Sequence, residues 1–381
     1  MTTPTFLELY RQLIAFPSIS ALDEAWDQSN ESVITYLANI FESMGFHCEV
    51  MLVCKTRKKY NLLASLGTGP GGLLLSGHTD TVPFDEGRWQ SDPFQLLEKD
   101  NRFYGLGTID MKGFFAFIID VLREFECDKF SKPLHILATA DEEITMAGAM
   151  HATKHLSIQP EVAIIGEPTG LQPIVMHKGH MAEGIRITGK SGHSSDPSKG
   201  LNAIDVMMDV LGRLKDMRQS MIERYQHDAF EVPYPTMNFG HIHGGDGANR
   251  ICGCCELHLD MRPIPGLSVE SLWALLHEQL HPLQQQYPDA IELFHLHDPL
   301  PPFQGEPDGQ FAQYMEALSG QSSTAVNYCT EAPFIQQLGC ETIVLGPGHI
   351  TQAHQPNEFL DHQMIEPTKH LLRSLIRDVC L

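Results

Sequence analysis

Two adjacent carboxylates, Glu142 and Glu143, close the apolar run of PLHILATADEEITMAG, residues 133–148. Acids gathered at the end of a buried strand suit metal binding or proton transfer better than packing. His78 in SGHTDTVP, Asp110 in GTIDMKG, Glu167 in GEPTG and His354 in AHQPNE each follow a similar apolar run. Taken singly they have plain explanations: a solvated loop histidine, an N-cap, first-turn acids complementing a helix dipole. Taken jointly, at the ends of separate strands, they form a nitrogen and oxygen donor set suited to zinc or a related divalent ion, without soft thiolates. Asp80 shares a face of the extended chain with His78, so its carboxylate can accept the second imidazole N–H and fix the tautomer. If Asp110 bridges two ions, His78 and Glu167 complete one and Glu143 and His354 the other, each keeping an open position for a shared water. Glu142 is then left over. Neighbouring side chains of an extended segment point apart, which frees Glu142 to face that water as general base.

Such a site needs strands that end together. The spacing predicts helices over Phe6–Ile14 and Ser32–Met44, strands over Asn61–Leu66 and Leu73–Leu75, a helix over Lys112–Phe125, a strand over Leu134–Ala138, a helix over Ile144–His155 and a strand over Val162–Ile165. Strands alternating with helices imply an α/β fold, a largely parallel sheet with helices on both faces, in which ligands collect beyond the carboxyl ends of the strands. From Met181 the character changes. A strand, a helix over Leu201–Tyr225, strands near Met237–His241 and Ile251–Met261, a helix over Val269–Leu280 and a strand near Ile291–Leu296 read as a separate α+β unit. The prolines at 299, 301 and 302 mark the return, after which Phe311–Leu318, Thr342–Leu345 and Gln363–Val379 supply a helix, a strand and a helix. The expected organisation is a catalytic domain of residues 1–179 and 299–381, interrupted by an inserted α+β domain of residues 180–298.

The 381 residues carry 48 Asp and Glu against 26 Lys and Arg, a formal charge of −22, which argues against nucleic acid or an anionic membrane as partner. There is no basic, apolar leader at the N-terminus and no apolar stretch long enough to span a membrane, so a cytoplasmic location is expected. Nine irregularly spaced cysteines suit a reducing compartment. Cys252, Cys254 and Cys255 lack the paired spacing of a zinc ribbon. A two-faced strand accounts for them, with Cys255 on the apolar face and Cys252 and Cys254 on the other. The glycines at 67–72 precede a strand and the GLG at Gly105 lacks a third glycine, so nucleotide binding is not supported.

The motifs SGHTDTVP, GTIDMKG, DEE, GEPT and HQPNE, in this order, resemble the di-zinc metallopeptidase and deacylase family, which spans acetylornithine deacetylases, succinyl-diaminopimelate desuccinylases, aminoacylases and glutamate carboxypeptidases. Within it, KGHMAEGIRITGKSGHSSDP, NRICGCCELHLDMRP, NYCTEAPFIQ and AHQPNE are most similar to the acetylornithine-cleaving branch. The resemblance implies two Zn2+ per subunit, with Co2+ as a substitute, bound by His78, Asp110, Glu143, Glu167 and His354. It implies Glu142 as base and proton shuttle, Asp80 behind His78, and an inserted domain that makes a homodimer. His193 would then reach across to the partner's site to stabilise an oxyanion, and Asn249 and Arg262 would hold polar groups of the substrate, Arg262 its α-carboxylate. The implied substrate is an N-acetyl amino acid, N2-acetyl-L-ornithine; Glu331 in CTEAP is the expected anionic partner of its δ-ammonium. A desuccinylase or aminoacylase is the neighbouring reading, and a non-catalytic metal- or peptide-binding member the more distant one, against which the spare Glu142 argues.

Overall fold

The computed structural model describes residues 4–381; the first three residues of the stretch read for a leader lie outside them. The chain opens with two helices, α1 (Phe6–Ile14), whose Thr5 and Glu8 form a capping box, and α2 (Glu31–Ser43). Next come a hairpin of β1 (His47–Cys54) and β2 (Lys59–Leu66), then β3 (Leu73–His78), the short strands β4 (Leu97–Lys99) and β5 (Arg102–Tyr104), and α3 (Gly113–Leu122). After these follow β6 (Leu134–Thr139), α4 (Ala147–His155), β7 (Val162–Ile165) and β8 (Ile174–His177). The middle of the chain forms β9 (Met181–Thr188), α5 (Ala203–Arg224), β10 (Thr236–Gly244), β11 (Cys254–Arg262), α6 (Val269–Gln286), β12 (Ile291–His295) and β13 (Phe303–Gln304). The last stretch supplies α7 (Gln310–Ser319), β14 (Thr324–Val326), α8 (Ala332–Gln336), β15 (Glu341–Val344), β16 (Phe359–Asp361) and α9 (Ile365–Cys380).

These elements gather into two compact units, one made of the chain up to Val175 with Gly305–Thr324 and Thr330–Leu381, the other of Met176–Gln304 with Ala325–Cys329. In the first unit the main sheet runs β1-β2-β6-β3-β7-β15-β8. Its centre is parallel: β3 pairs in parallel with β6 and with β7, and β15 with β7. The β1–β2 hairpin and β8 are antiparallel flanks. Every residue of β3, β6 and β7 is buried, as continuous apolar runs require when both faces of a sheet are covered. Helices α1, α3 and α9 pack together, with α9 against β3; α2, α4 and α8 pack against β1, β2, β7 and β15. The parallel centre makes β3, β6, β7 and β15 end at one edge. A second, three-stranded sheet, β16-β5-β4, lies apart from the main one in hydrogen bonding, with Phe359 opposite Tyr104 and Leu97 opposite Tyr104 on the other side.

In the second unit an antiparallel sheet of order β10-β11-β9-β12 carries α5 and α6 on its apolar face. The alternation expected of residues 251–262 holds from Cys254: Cys255, Leu257, Leu259 and Met261 are buried, while Cys254 is exposed. Cys252 departs from the expectation. The strand starts only at Cys254, so Cys252 is turned inward, is 4% exposed, and donates its thiol to the Cys254 carbonyl at 3.0 Å. All nine cysteines are free thiols. Among the described residues no helix is long and apolar enough to cross a membrane.

Candidate metal centre

The edge at which β3, β6, β7 and β15 end is where the acids and imidazoles meet. His78 is the last residue of β3, the turn 142–145 follows β6, Glu167 stands two residues beyond β7, and His354 follows β15 by a longer loop that passes through a 3-10 turn at Ile350–Gln352. Asp110 arrives differently from the expectation. No strand of the main sheet delivers it; it lies on the loop between β5 of the small sheet and α3, joined to Met111 by a cis peptide bond.

Asp110 is the centre of the cluster. Its Oδ1 lies 3.0 Å from His78 Nε2, and its Oδ2 lies 3.2 Å from His354 Nε2. Glu167 Oε1 approaches His78 Nε2 at 3.6 Å, and Glu143 Oε2 approaches His354 Nε2 at 3.0 Å. The two oxygens of one carboxylate therefore face two separate groups, His78 with Glu167 and His354 with Glu143. Ligand atoms of His78, Asp110 and Glu143 lie within 4.8 Å of one another, and so do those of His78, Glu142 and Glu167. Asp110 and Glu167 are each 5% exposed, His78 is fully buried, and the His354 side chain is half exposed, at a backbone φ of +57°.

The Glu142–Glu143 pair is held in a turn, where an extended segment was expected, and α4 begins only at Ala147. The reason is Asp80. Its carboxylate accepts the backbone N–H of Glu142 and of Glu143, each at 3.2 Å, while the N–H groups of Thr145 and Met146 turn back to the Asp141 carbonyl. This occupies Asp80 in a way the tautomer argument missed. His78 Nδ1 is 3.1 Å from the Asp80 carbonyl oxygen and 3.7 Å from its carboxylate, so the backbone carbonyl is the better partner of the ring N–H. Behind the turn, Asp141 is clamped by Arg57 and receives Ser20 Oγ at 2.9 Å, with Lys59 fully buried 3.6 Å away.

The electrostatics are those of a site short of positive charge. Burial pushes the carboxyls of Glu142 and Glu167 well above the ordinary range, with neighbouring carboxylates adding to the shift. Glu143 is raised by burial and then by Asp110, and its Oε1 is buried without a hydrogen-bond partner among the described residues. Hydrogen bonds to Asp110 and Glu143 lift the His354 imidazole to about 11. A divalent cation is the group such a donor set fits: it would neutralise the acids and engage the orphaned oxygen of Glu143.

Comparison with known proteins decides the family. Residues 74–378 match the model of peptidase family M20/M25/M40. The chain belongs to this peptidase family. It is 58% identical over 378 residues to an acetylornithine deacetylase of Proteus mirabilis, covering 99% of this chain and 97% of that one. It is 55% identical over 377 residues to an acetylornithine deacetylase of Salmonella typhimurium, covering 99% and 98%. Among solved structures, an M20 family metallo-carboxypeptidase from Sulfolobus solfataricus superposes with a TM-score of 0.77 at 16% identity, covering 98% of this chain and 99% of that one. M20 members are hydrolases, and the cluster around Asp110 is this member's candidate metal centre.

The remaining candidate residues of this M20 chain divide between the units. Glu331 belongs to the first, at the N-terminus of α8, fully buried. No close hydrogen-bond partner reaches either of its oxygens among the described residues, and burial pushes its pKa up to about 7, offset only in part by the Thr139 hydroxyl and by His78. His193, Asn249 and Arg262 belong to the second. His193 is exposed, bridges to Arg250, and accepts at Nδ1 from the Ser195 N–H at 3.2 Å. Asn249 is exposed and its carbonyl accepts from Ser194 N–H at 3.1 Å. Arg262 is already engaged: Nε and Nη2 donate to the two Asp260 oxygens, each at 3.0 Å, and Asp260 also pairs with His180 at 2.9 Å. The sequence reading missed Asp260, although it precedes Arg262 by two residues on the same strand face.

Proposed function

We propose that this chain hydrolyses N2-acetyl-L-ornithine to acetate and L-ornithine at a centre of two zinc ions. The observation that carries the reading is the divided Asp110 carboxylate, one oxygen toward His78 and Glu167 and the other toward His354 and Glu143. The names of the bacterial relatives support the choice of substrate. In this assignment those five residues are the ligands, with Asp110 shared, and Co2+ is an acceptable substitute. Bound there, the ions would make a water acidic near neutral pH and polarise the acyl carbonyl.

Glu142 is the carboxylate left without a ligand role. It takes a proton from the attacking water and returns it to the departing α-amine. Asp80 holds the turn that presents it. The Asp260 pair, with a contact of 3.8 Å from Nη1 to Cys329 Sγ, fixes the Arg262 guanidinium at one end of β11, where its remaining N–H donors would meet the substrate α-carboxylate; Asn249 lies on the loop before the other end of that strand and would hold a polar group from there. Glu331, a buried carboxylate with no close hydrogen-bond partner among the described residues, is the expected partner of the δ-ammonium. A panel of N-acetyl and N-succinyl amino acids tests this. The parent should favour acetylornithine, and Glu331→Gln should lower kcat/KM for acetylornithine by about 10- to 100-fold relative to neutral acetyl-amino acids. Unchanged discrimination removes Glu331 from the substrate site, and preference for succinyl substrates removes the acetylornithine reading.

The second unit is proposed as the surface of a homodimer in which His193 serves the partner's site. Among the described residues strand β10 is a sheet edge paired only with β11, and it carries the exposed Ile242, which is the kind of edge a second copy can cover. Sedimentation velocity should give a species of about twice the chain mass at micromolar concentration, and a monomer there would leave His193 without this role.

A further inference from the structure

Glu358 ends the HQPNE stretch, four residues after His354, and is 2% exposed. Its carboxylate is enclosed by donors from a single distant loop. The Ile109 N–H donates to Oε1 at 2.9 Å and the Asp110 N–H at 3.3 Å, the Thr108 hydroxyl shares its one proton between Oε1 at 3.2 Å and the Gly105 carbonyl at 2.8 Å, and the Gly107 N–H donates to Oε2 at 3.2 Å. The Glu358 carbonyl accepts the Gly105 N–H at 3.1 Å. One residue therefore grips the loop from 105 to 110 through its backbone and both side-chain oxygens. The pairing of β16 with β5, Phe359 opposite Tyr104, continues the grip on its other side.

The loop it holds ends at Asp110, whose carboxylate oxygens must face His78 and His354 at once. His354 rides on the segment that carries Glu358 itself. A carboxylate that accepts on both oxygens from the Asp110 loop thus ties together the backbones of two candidate ligands. Asp110 follows no strand of the parallel sheet, and His354 stands well beyond the end of β15, past a 3-10 turn, so the sheet alone does not set either residue. An amide would not serve equally, because its NH2 group has no acceptor to offer one of these N–H donors.

We propose that Glu358 is the positioning residue of the metal centre, setting the Asp110 loop against the His354 loop and through them the affinity for metal, without touching metal or substrate. The inference rests on the reading of the cluster as a metal centre. The test is Zn2+ binding to the full-length protein by competition with a chromophoric chelator, for the parent, Glu358→Gln and Thr108→Val, beside far-UV circular dichroism and the thermal midpoint of each metal-free form. Glu358→Gln should weaken Zn2+ affinity by about 10- to 100-fold, the range seen when partners of metal ligands are removed. Thr108→Val, which deletes one donor and keeps the carboxylate, should weaken it several-fold with the fold intact. A purely structural role would lower the metal-free midpoint and leave affinity unmoved. Zn2+ affinity within twofold of the parent in folded Glu358→Gln overturns the proposal; should that variant not fold, the same result in Thr108→Val overturns it. A parent that binds no Zn2+ refutes the metal centre instead, a result separable from either of these.

Discussion

Glu142→Gln is expected to lower kcat for acetylornithine by about 10²- to 10⁴-fold, the usual contribution of a general base, while the purified protein keeps the parent's metal content. The glutamine preserves size and burial and removes only the capacity to accept a proton. The competing assignment is specific. Ligand atoms of His78, Glu142 and Glu167 also lie within 4.8 Å of one another, so Glu142 could be a ligand in place of a base. The two readings separate on metal content: a base leaves it unchanged and a ligand takes metal away with it. Three observations favour the base. Glu143 Oε2 stands 3.0 Å from His354 Nε2, which gives the second oxygen of Asp110 a complete set without Glu142. The two acids sit in a turn pinned by Asp80 through successive N–H groups, and their side chains reach different neighbours, Glu143 the His354 and Asp110 side and Glu142 the His78 and Glu167 side. Burial pushes the Glu142 carboxyl upward, toward the range in which a group can both take and return a proton. Kinetics with metal analysis of Glu142→Gln and Glu143→Gln side by side settle the matter. Loss of metal in the first and not the second would reverse the roles.

How far the sequence reached depends on where each residue sits. The parallel centre was legible because β3, β6 and β7 are buried along their whole length and β15 from Thr342 onward, a pattern of largely apolar runs that follows from burial on both faces. His78, the DEE turn and Glu167 sit directly beyond such runs, so their convergence could be anticipated. Asp110 and His354 are also read as lying just past apolar runs, and neither does so directly. Asp110 depends on β4, β5 and β16, strands of three residues too short to show a period, and His354 on an irregular loop at positive φ. The same shortness hid Glu358, whose partners lie 248–251 residues away. The β1 strand escaped because its burial is mixed, and Cys252 because a strand start cannot be fixed to one residue from alternation alone. Asp80 is expected from the sequence to accept the second His78 N–H on its carboxylate, and His78 Nδ1 instead lies nearer the Asp80 carbonyl oxygen. Its carboxylate was then claimed by backbone donors from a turn that the alternation pattern did not foresee.

Stripping the metal should abolish hydrolysis and lower the thermal midpoint at neutral pH, and Zn2+ should restore both. Without a cation, Asp110, Glu142, Glu143 and Glu167 crowd a buried pocket with Asp80 and Glu331 behind them, and burial raises the carboxyls of Glu142, Glu143, Glu167 and Glu331. Each ionised neighbour makes the next harder to keep charged, so the metal-free cluster opposes folding and bound metal relieves it. A ligand that binds only the folded state at 100 times its Kd contributes about 2.7 kcal/mol, enough to move the midpoint by several degrees. The restored stability should shrink as pH falls, because protons then compete for the same imidazoles and carboxylates. Titration should end near two ions per chain, and Glu143→Gln and Glu167→Gln should each lower that number by about one, since they stand on opposite oxygens of Asp110. Full activity after chelation, at a residual metal content below about 0.1 per chain, would remove the metal from the reaction. An endpoint of one ion would do something narrower: Asp110 would cease to be a bridge, one of the facing pairs would need another purpose, and Glu142 could no longer be assigned by being left over.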